Sequence, residues 1–140
     1  MIILLDNDDA VTKFSDMLSK VFHLTVSLTT SQPFYHLTDN LYLVKTPEAG
    51  PAGKSCIEDL FDASTHKIAH EAKIFNPNEK TFDPTKHLGK VDFAKKVVAI
   101  HAGTIPWSGF DPLLARVTAV LDHYSIARKP ALPAAAKPTP

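Results

Sequence analysis

Met1 to Leu5 is an unbroken apolar run that stops at Asp6, the pattern of a strand buried on both faces of a parallel sheet. It predicts a first strand over residues 2–6. Val11, Phe14, Leu18, Val21 and Phe22 then recur at three- and four-residue steps, the spacing of one apolar helical face, with Asp8 or Asp9 available as the cap. That predicts a helix over about 9–22. His23 to Leu28 and Phe34 to Leu37 are short extended candidates, and Leu41 to Val44 is a second continuous apolar run, closed by Lys45, Thr46 and Pro47. The last run reads as a second buried parallel strand, with 48–55 as its loop.

Further along, Ser55 is placed to cap a short helix that turns Ile57, Leu60 and Phe61 inward and ends near Ala63. Glu58 and Asp59 fall in its first turn, where a carboxylate suits the helix dipole. Residues 64–88 hold little periodicity and predict an irregular excursion with a helical turn at His66 to Ala72. Asp92 is placed to cap a helix with Phe93, Ala94, Val97, Val98 and His101 inward and Gly103 as its stop. Asp111 followed by Pro112 opens a final amphipathic helix carrying Leu113, Leu114, Val117, Val120, Leu121 and Tyr124. From Lys129 only Lys, Pro, Ala, Leu and Thr occur, so 1–128 is expected to be one domain and 129–140 a solvated tail.

Composition narrows the classes. The 140 residues suit one domain with a real core, and 15 basic against 15 acidic residues leave no global charge pointing to nucleic acid or membrane. Nucleic-acid contact, if it occurs, is therefore local. The single cysteine, Cys56, forms no internal disulfide and reads as a small buried hydrophobe, and the N-terminal stretch lacks secretory-signal character, so a reducing cytoplasm is expected. No apolar run approaches the roughly 20 residues of a membrane span.

The candidate chemistry begins at Asp6, Asp8 and Asp9. Three carboxylates within four positions repel one another unless solvent or a cation relieves them. Mg²⁺ takes one or two protein carboxylates plus waters and phosphate oxygens, and open parallel sheets bind ligands beyond their carboxyl ends. Asp6 and Asp8 are thus placed to share one ion; the plainer alternative is that Asp8 and Asp9 only cap the helix while Asp6 faces water. Other features weigh less. His66 and His70 stand four apart without a third zinc ligand. Gly50 to Ser55 ends in Gly-Lys-Ser, but Glu48 occupies the position of the first P-loop glycine. Lys54 reads as a solvated loop lysine, and Lys86, Lys90, Lys95 and Lys96 as either a local phosphate-binding group or a solvated face.

The run Ile2-Ile3-Leu4-Leu5-Asp6-Asn7-Asp8-Asp9-Ala10 resembles the hydrophobic strand and acidic motif of Toprim domains, with Ala10 where a glycine is usual. More narrowly, LLDNDDA, FYHLTDNLYLVKTPE, SCIEDLFD, GKVDFAKKVV and SGFDPLLARV are similar to the C-terminal extension of some retron-type RNA-directed DNA polymerases, a likeness covering residues 2–126. The resemblance implies a three-layer α/β domain with a mostly parallel sheet and Mg²⁺- or Mn²⁺-dependent, nuclease-like processing of DNA or RNA. It implies Asp6 and Asp8 as metal carboxylates, Glu58 and Asp59 as the second acidic station of OLD-type nucleases, and Lys90 as their late lysine, with Lys90 and Glu58 in catalytic roles. Toprim domains carry a further glutamate after an earlier strand, so an upstream segment or partner chain is expected to supply it. No Tyr-x-Asp-Asp polymerase motif occurs. Two rivals stand beside this reading. A receiver domain opens in the same way, yet Lys45-Thr46 follows the strand where its phosphoacceptor aspartate belongs; a docking module would use the acidic cluster only for capping.

Overall fold

The computed structural model describes residues 1–29, 32–48 and 53–128. The expected tail at 129–140 lies outside them. The chain is mixed α/β with two small sheets. Strand β1 (Ile2–Leu5) leads into helix α1 (Asp9–Phe22), and strands β2 (Tyr35–Thr38) and β3 (Leu41–Lys45) follow. The sheet order is β1-β3-β2, with β1 parallel and β2 antiparallel to β3. The β2–β3 turn passes through Asp39 at φ 42°, a left-handed conformation that aspartate tolerates better than most residues.

The parallel pair forms as the two apolar runs predict, but the burial of β1 does not. As an edge strand it leaves Ile3 41% and Leu4 43% exposed, whereas central β3 buries Tyr42, Leu43 and Val44. Helix α1 matches its predicted span, and Asp8 caps it by accepting from the Ala10 amide at 2.7 Å. Val11 and Leu18 pack with Val26, Tyr35 and Leu43 on one face of the sheet. Phe14 and Val21, expected inward, are exposed because the sheet ends at β1 and nothing lies beneath that flank among the described residues. His23 to Leu28 forms no strand; it crosses as coil and buries only Val26.

Beyond β3 a 3₁₀ turn (Ile57–Leu60) replaces the predicted α-helix, and its cap is Cys56 rather than Ser55. Ser55 is withdrawn into a bridge with Asn7. A short helix α2 (Ala63–His66), capped by Asp62, takes the place of the turn expected at 66–72. The excursion also contains a small parallel sheet of β4 (Ile74–Phe75) and β5 (His87–Leu88) that two-residue strands do not announce in sequence. The next helical stretch starts before Asp92. It runs through α3 (Lys90–Asp92), a π-helical segment (Phe93–Val98) and α4 (Ala99–His101), with Phe93 and Val97 buried and Ala94 exposed. A 3₁₀ turn (Ser108–Phe110) enters α5 (Asp111–Ala127). Leu113 and Val120 of α5 bury against Tyr42, Val44 and Leu60 on the face opposite α1, while Leu114 and Leu121 stay exposed.

Candidate functional site

A polar core locks the carboxyl ends of β1 and β3 together. The Asn7 amide donates to Thr46 Oγ1 at 2.8 Å, Thr46 Oγ1 donates to the Ser55 carbonyl at 2.9 Å, and the Ser55 amide donates to the Asn7 carbonyl at 2.9 Å. Lys45, with a side chain 0% exposed, donates from Nζ to Asn7 Oδ1 at 2.9 Å and to the Ser27 and Leu28 carbonyls at 2.6 and 3.2 Å. Its ammonium also lies 3.6 Å from Glu48, which Arg116 of α5 grips at 2.8 Å. Burial pushes the Lys45 pKa below the ordinary lysine value although Glu48 pulls it up. Sequence reasoning passed over this network, because Asn7 and Lys45 read as the polar ends of apolar runs.

On that base stand the predicted site residues. Asp6 follows β1 and accepts from the Ile57 amide at 3.1 Å, so the strand end holds the start of the 3₁₀ turn. Glu58, next in that turn, lies 2.9 Å from Lys90 Nζ through Oε2. The buried Oε2 has no aligned hydrogen bond, so the contact is an ion pair held by charge and proximity. Asp6, Glu58 and Lys90, distant in sequence, thereby lie near enough beyond the strand ends for Asp6 to feel the charges of the other two.

Their electrostatics agree with that placement. Burial raises the Asp6 pKa, opposed by Lys90 and the Ile57 amide and reinforced by the negative charges of Glu58 and Asp8. Burial alone would raise Glu58 as well, but the Lys90 ammonium beside it, helped by the Cys56 thiol, outweighs it and the carboxyl stays below its ordinary range. Burial alone would lower Lys90; the Glu58 partner outweighs it and holds the ammonium charged.

The other acidic residues are placed differently. Asp8 spends one oxygen on the α1 cap. Asp59 turns back to accept from the Cys56 amide at 2.8 Å. Asp9 points to solvent and pairs with Lys54 at 2.6 Å. Among the described residues no group of three or more His, Cys, Asp or Glu side chains is arranged to hold a metal ion. Two carboxylates with waters still meet the usual demand of Mg²⁺. The Asp6–Glu58 repulsion fits such a cation, although the buried Glu58 Oε2 is already paired with Lys90.

Cys56 is half-buried, and burial with its acidic neighbours pushes its thiol up to about 12, so it is no thiolate nucleophile. His66 donates from Nε2 to the Glu58 carbonyl at 2.9 Å and supports the 3₁₀ turn. At the position of a receiver's phosphoacceptor stands the buried, fully engaged Lys45. No described helix is long and apolar enough to cross a membrane.

No family model matches the chain, and no solved structure matches it.

Proposed function

We propose that the chain is a Toprim-like, three-layer α/β module that processes nucleic-acid phosphodiesters with Mg²⁺ or Mn²⁺, as the likeness to retron-type polymerase extensions implies. The observation that carries the reading is that Asp6, at the carboxyl end of a parallel strand pair, holds the turn bearing Glu58 and feels the charges of Glu58 and its partner Lys90. Open sheets hold ligands there. Asp6 and Glu58 would hold the cation, with the charges of Asp8 and Asp59 close behind as caps. Once bound, a divalent ion polarises a phosphoryl oxygen. Lys90 carries a positive charge to where a phosphate develops negative charge.

Proton transfer needs a further group. In this reading it comes from an upstream segment or a partner chain, so the chain by itself cleaves slowly. The test titrates Mg²⁺ and Mn²⁺ calorimetrically into the wild type, Asp6→Asn/Glu58→Gln and Asp9→Asn, and follows cleavage of single- and double-stranded DNA and RNA in parallel. Binding weakens at least about tenfold in the double variant and stays unchanged in Asp9→Asn, since site carboxylates supply the charge that the ion requires. Unchanged affinity in the double variant, or fast cleavage that survives Asp6→Ala, overturns the reading.

A further inference from the structure

Beside the Asp6–Glu58–Lys90 cluster lies an open cavity of about 210 Å³, lined by Ile57, Phe61, Phe93, Val98, Trp107 and Phe110, with Glu58 and Lys90 completing its wall. Four of its lining residues are aromatic, their rings set at angles to one another. Phe61 meets Phe93 and Phe110 edge-on at 5.5 and 4.8 Å between ring centroids, and Trp107 tilts against Phe61 and Phe110 at 5.6 and 5.4 Å. Trp107 is 42% exposed, yet its indole N–H is committed to the Ala102 carbonyl at 2.9 Å. The ring is therefore fixed in orientation while part of its surface remains open.

Three features build this pocket. The Ser108–Phe110 turn approaches the Leu60 backbone so closely that a Cβ at Gly109 would collide with the Leu60 carbonyl oxygen, which sets Phe110 beside Phe61. The π-helical segment supplies Phe93 and Val98, and such segments are rare and cluster at functional sites. The ammonium of Lys90, half exposed, ties the apolar cavity to the charged cluster.

We infer that this cavity receives one unpaired nucleobase of a single strand whose adjoining phosphate lies at Lys90. The inference rests on the phosphodiester reading given above. The volume falls below the roughly 300–1,000 Å³ of pockets that enclose drug-sized ligands, so it takes one ring system rather than a whole nucleotide. The Lys90 ammonium, paired with Glu58 on one side and half exposed on the other, stands beside the aromatic rings where the phosphate that follows a stacked base would fall. Aromatic platforms of this kind bind bases by stacking, which tolerates any base because each has a π-face. The apolar wall offers no set of donors and acceptors for reading a base edge, so strand recognition without sequence preference follows.

Trp107 is the only tryptophan, so its fluorescence reports the pocket without any turnover. The experiment titrates the full chain with a short oligothymidylate, an abasic strand of equal length and the corresponding duplex, each in Ca²⁺ and in EDTA. The base-bearing single strand quenches Trp107 and binds about 5- to 150-fold more tightly than the abasic strand, the range that stacking of one base supplies. The duplex, with its bases paired, gives no comparable quenching. Val98→Phe, which fills the cavity, removes the preference for the base-bearing strand; its melting curve and Mg²⁺ titration establish that fold and charged cluster are intact. The wild-type comparison of the two strands stands without that variant.

Binding in EDTA with the contrast intact supports the pocket, while the metal reading stands or falls separately on the Mg²⁺ titration of Asp6→Asn/Glu58→Gln. Ca²⁺-dependent binding with equal affinity for both strands overturns the pocket and leaves the metal reading in place. Trp107 emission that shifts only with protein concentration overturns it too, since the cavity would then be filled by a second copy.

Discussion

Replacing Lys45 by methionine keeps a stem of similar length in the core and removes only the ammonium. That group donates to Asn7 Oδ1, the Ser27 carbonyl and the Leu28 carbonyl from a side chain with no exposure to water. The Leu28 carbonyl keeps the Asn7 Nδ2 donor at 3.0 Å, and Glu48 keeps Arg116 at 2.8 Å. The buried Asn7 oxygen loses this donor, whereas the Ser27 carbonyl belongs to an exposed residue. At about 1–3 kcal/mol for a buried group that loses its donor, the net loss is about 1–3 kcal/mol. In a domain of this size that corresponds to roughly 3–9 °C in melting temperature. Urea titrations followed by far-ultraviolet circular dichroism measure it as a fall in midpoint at constant slope, with exposed Lys54→Met as the control. There is also a pH signature. The folded Lys45 pKa lies below the unfolded value of 10.5, so the unfolded chain binds more protons between the two, and wild-type stability gains a rising contribution with pH across that alkaline window. Lys45→Met lacks that contribution. A Lys45→Met protein within about 0.5 kcal/mol of wild type, the range of ordinary surface changes, would show that the buried ammonium does not hold β1 to β3.

Asp6→Asn retains an acceptor for the Ile57 amide and removes a carboxylate whose folded pKa is raised above 3.8. The wild type therefore loses stability as pH rises from 3.8 through the folded value, so at neutral pH the variant is as stable as wild type or more so while Mg²⁺ binding weakens; a lower urea midpoint at neutral pH refutes this. Gly109→Ala drives a methyl into the Leu60 carbonyl and costs about 1–3 kcal/mol, whereas Gly103→Ala, with nothing within 4 Å of the new methyl, stays within about 0.5 kcal/mol; equal melting temperatures for the two contradict the packing of the Ser108–Phe110 turn. Ala72 sits at φ 63°, a left-handed conformation that costs a non-glycine residue about 1–2 kcal/mol, so Ala72→Gly raises the denaturation midpoint. A lowered midpoint would place the strain elsewhere.

Regular elements with a long apolar signature were legible from sequence. Periodicity located α1 and α5, and continuous runs located β1 and β3 with their parallel partnership. The lateral limit of the sheet was not legible: an all-apolar run carries no mark of being an edge strand, so the exposure of Ile3, Leu4 and Phe14 depends on pairing alone. The strands β4 and β5 are two residues each, too short to carry a period. At the site, the acidic run pointed to Asp6, Asp8 and Asp9 and the family resemblance to Glu58, Asp59 and Lys90; Glu58 pairs with Lys90, and Asp6 holds the amide of the neighbouring Ile57. Asp8 and Asp59 carry the same side chain but are drawn into caps by amides two and three residues away, a local competition that residue type does not disclose. Lys45 was invisible for the opposite reason, since a lysine at a strand end is normally solvated.

The order β1-β3-β2 also bears on how the site comes into being. Thr38 and Leu41 face each other across a two-residue turn, whereas Ile2 meets Tyr42 only after the chain has closed a loop of about 40 residues. Loop-closure entropy makes the second event costlier by roughly 2–3 kcal/mol, which favours formation of the β2–β3 hairpin before β1 docks. The segment bearing Asp6 and Asn7 is then a late arrival, fastened when Lys45, Thr46 and Ser55 reach it. Substitutions in β1 accordingly accelerate unfolding more than they slow folding. The metal-binding carboxylates of the proposed function come together in the final step of assembly, so partly folded molecules retain the hairpin without a working site.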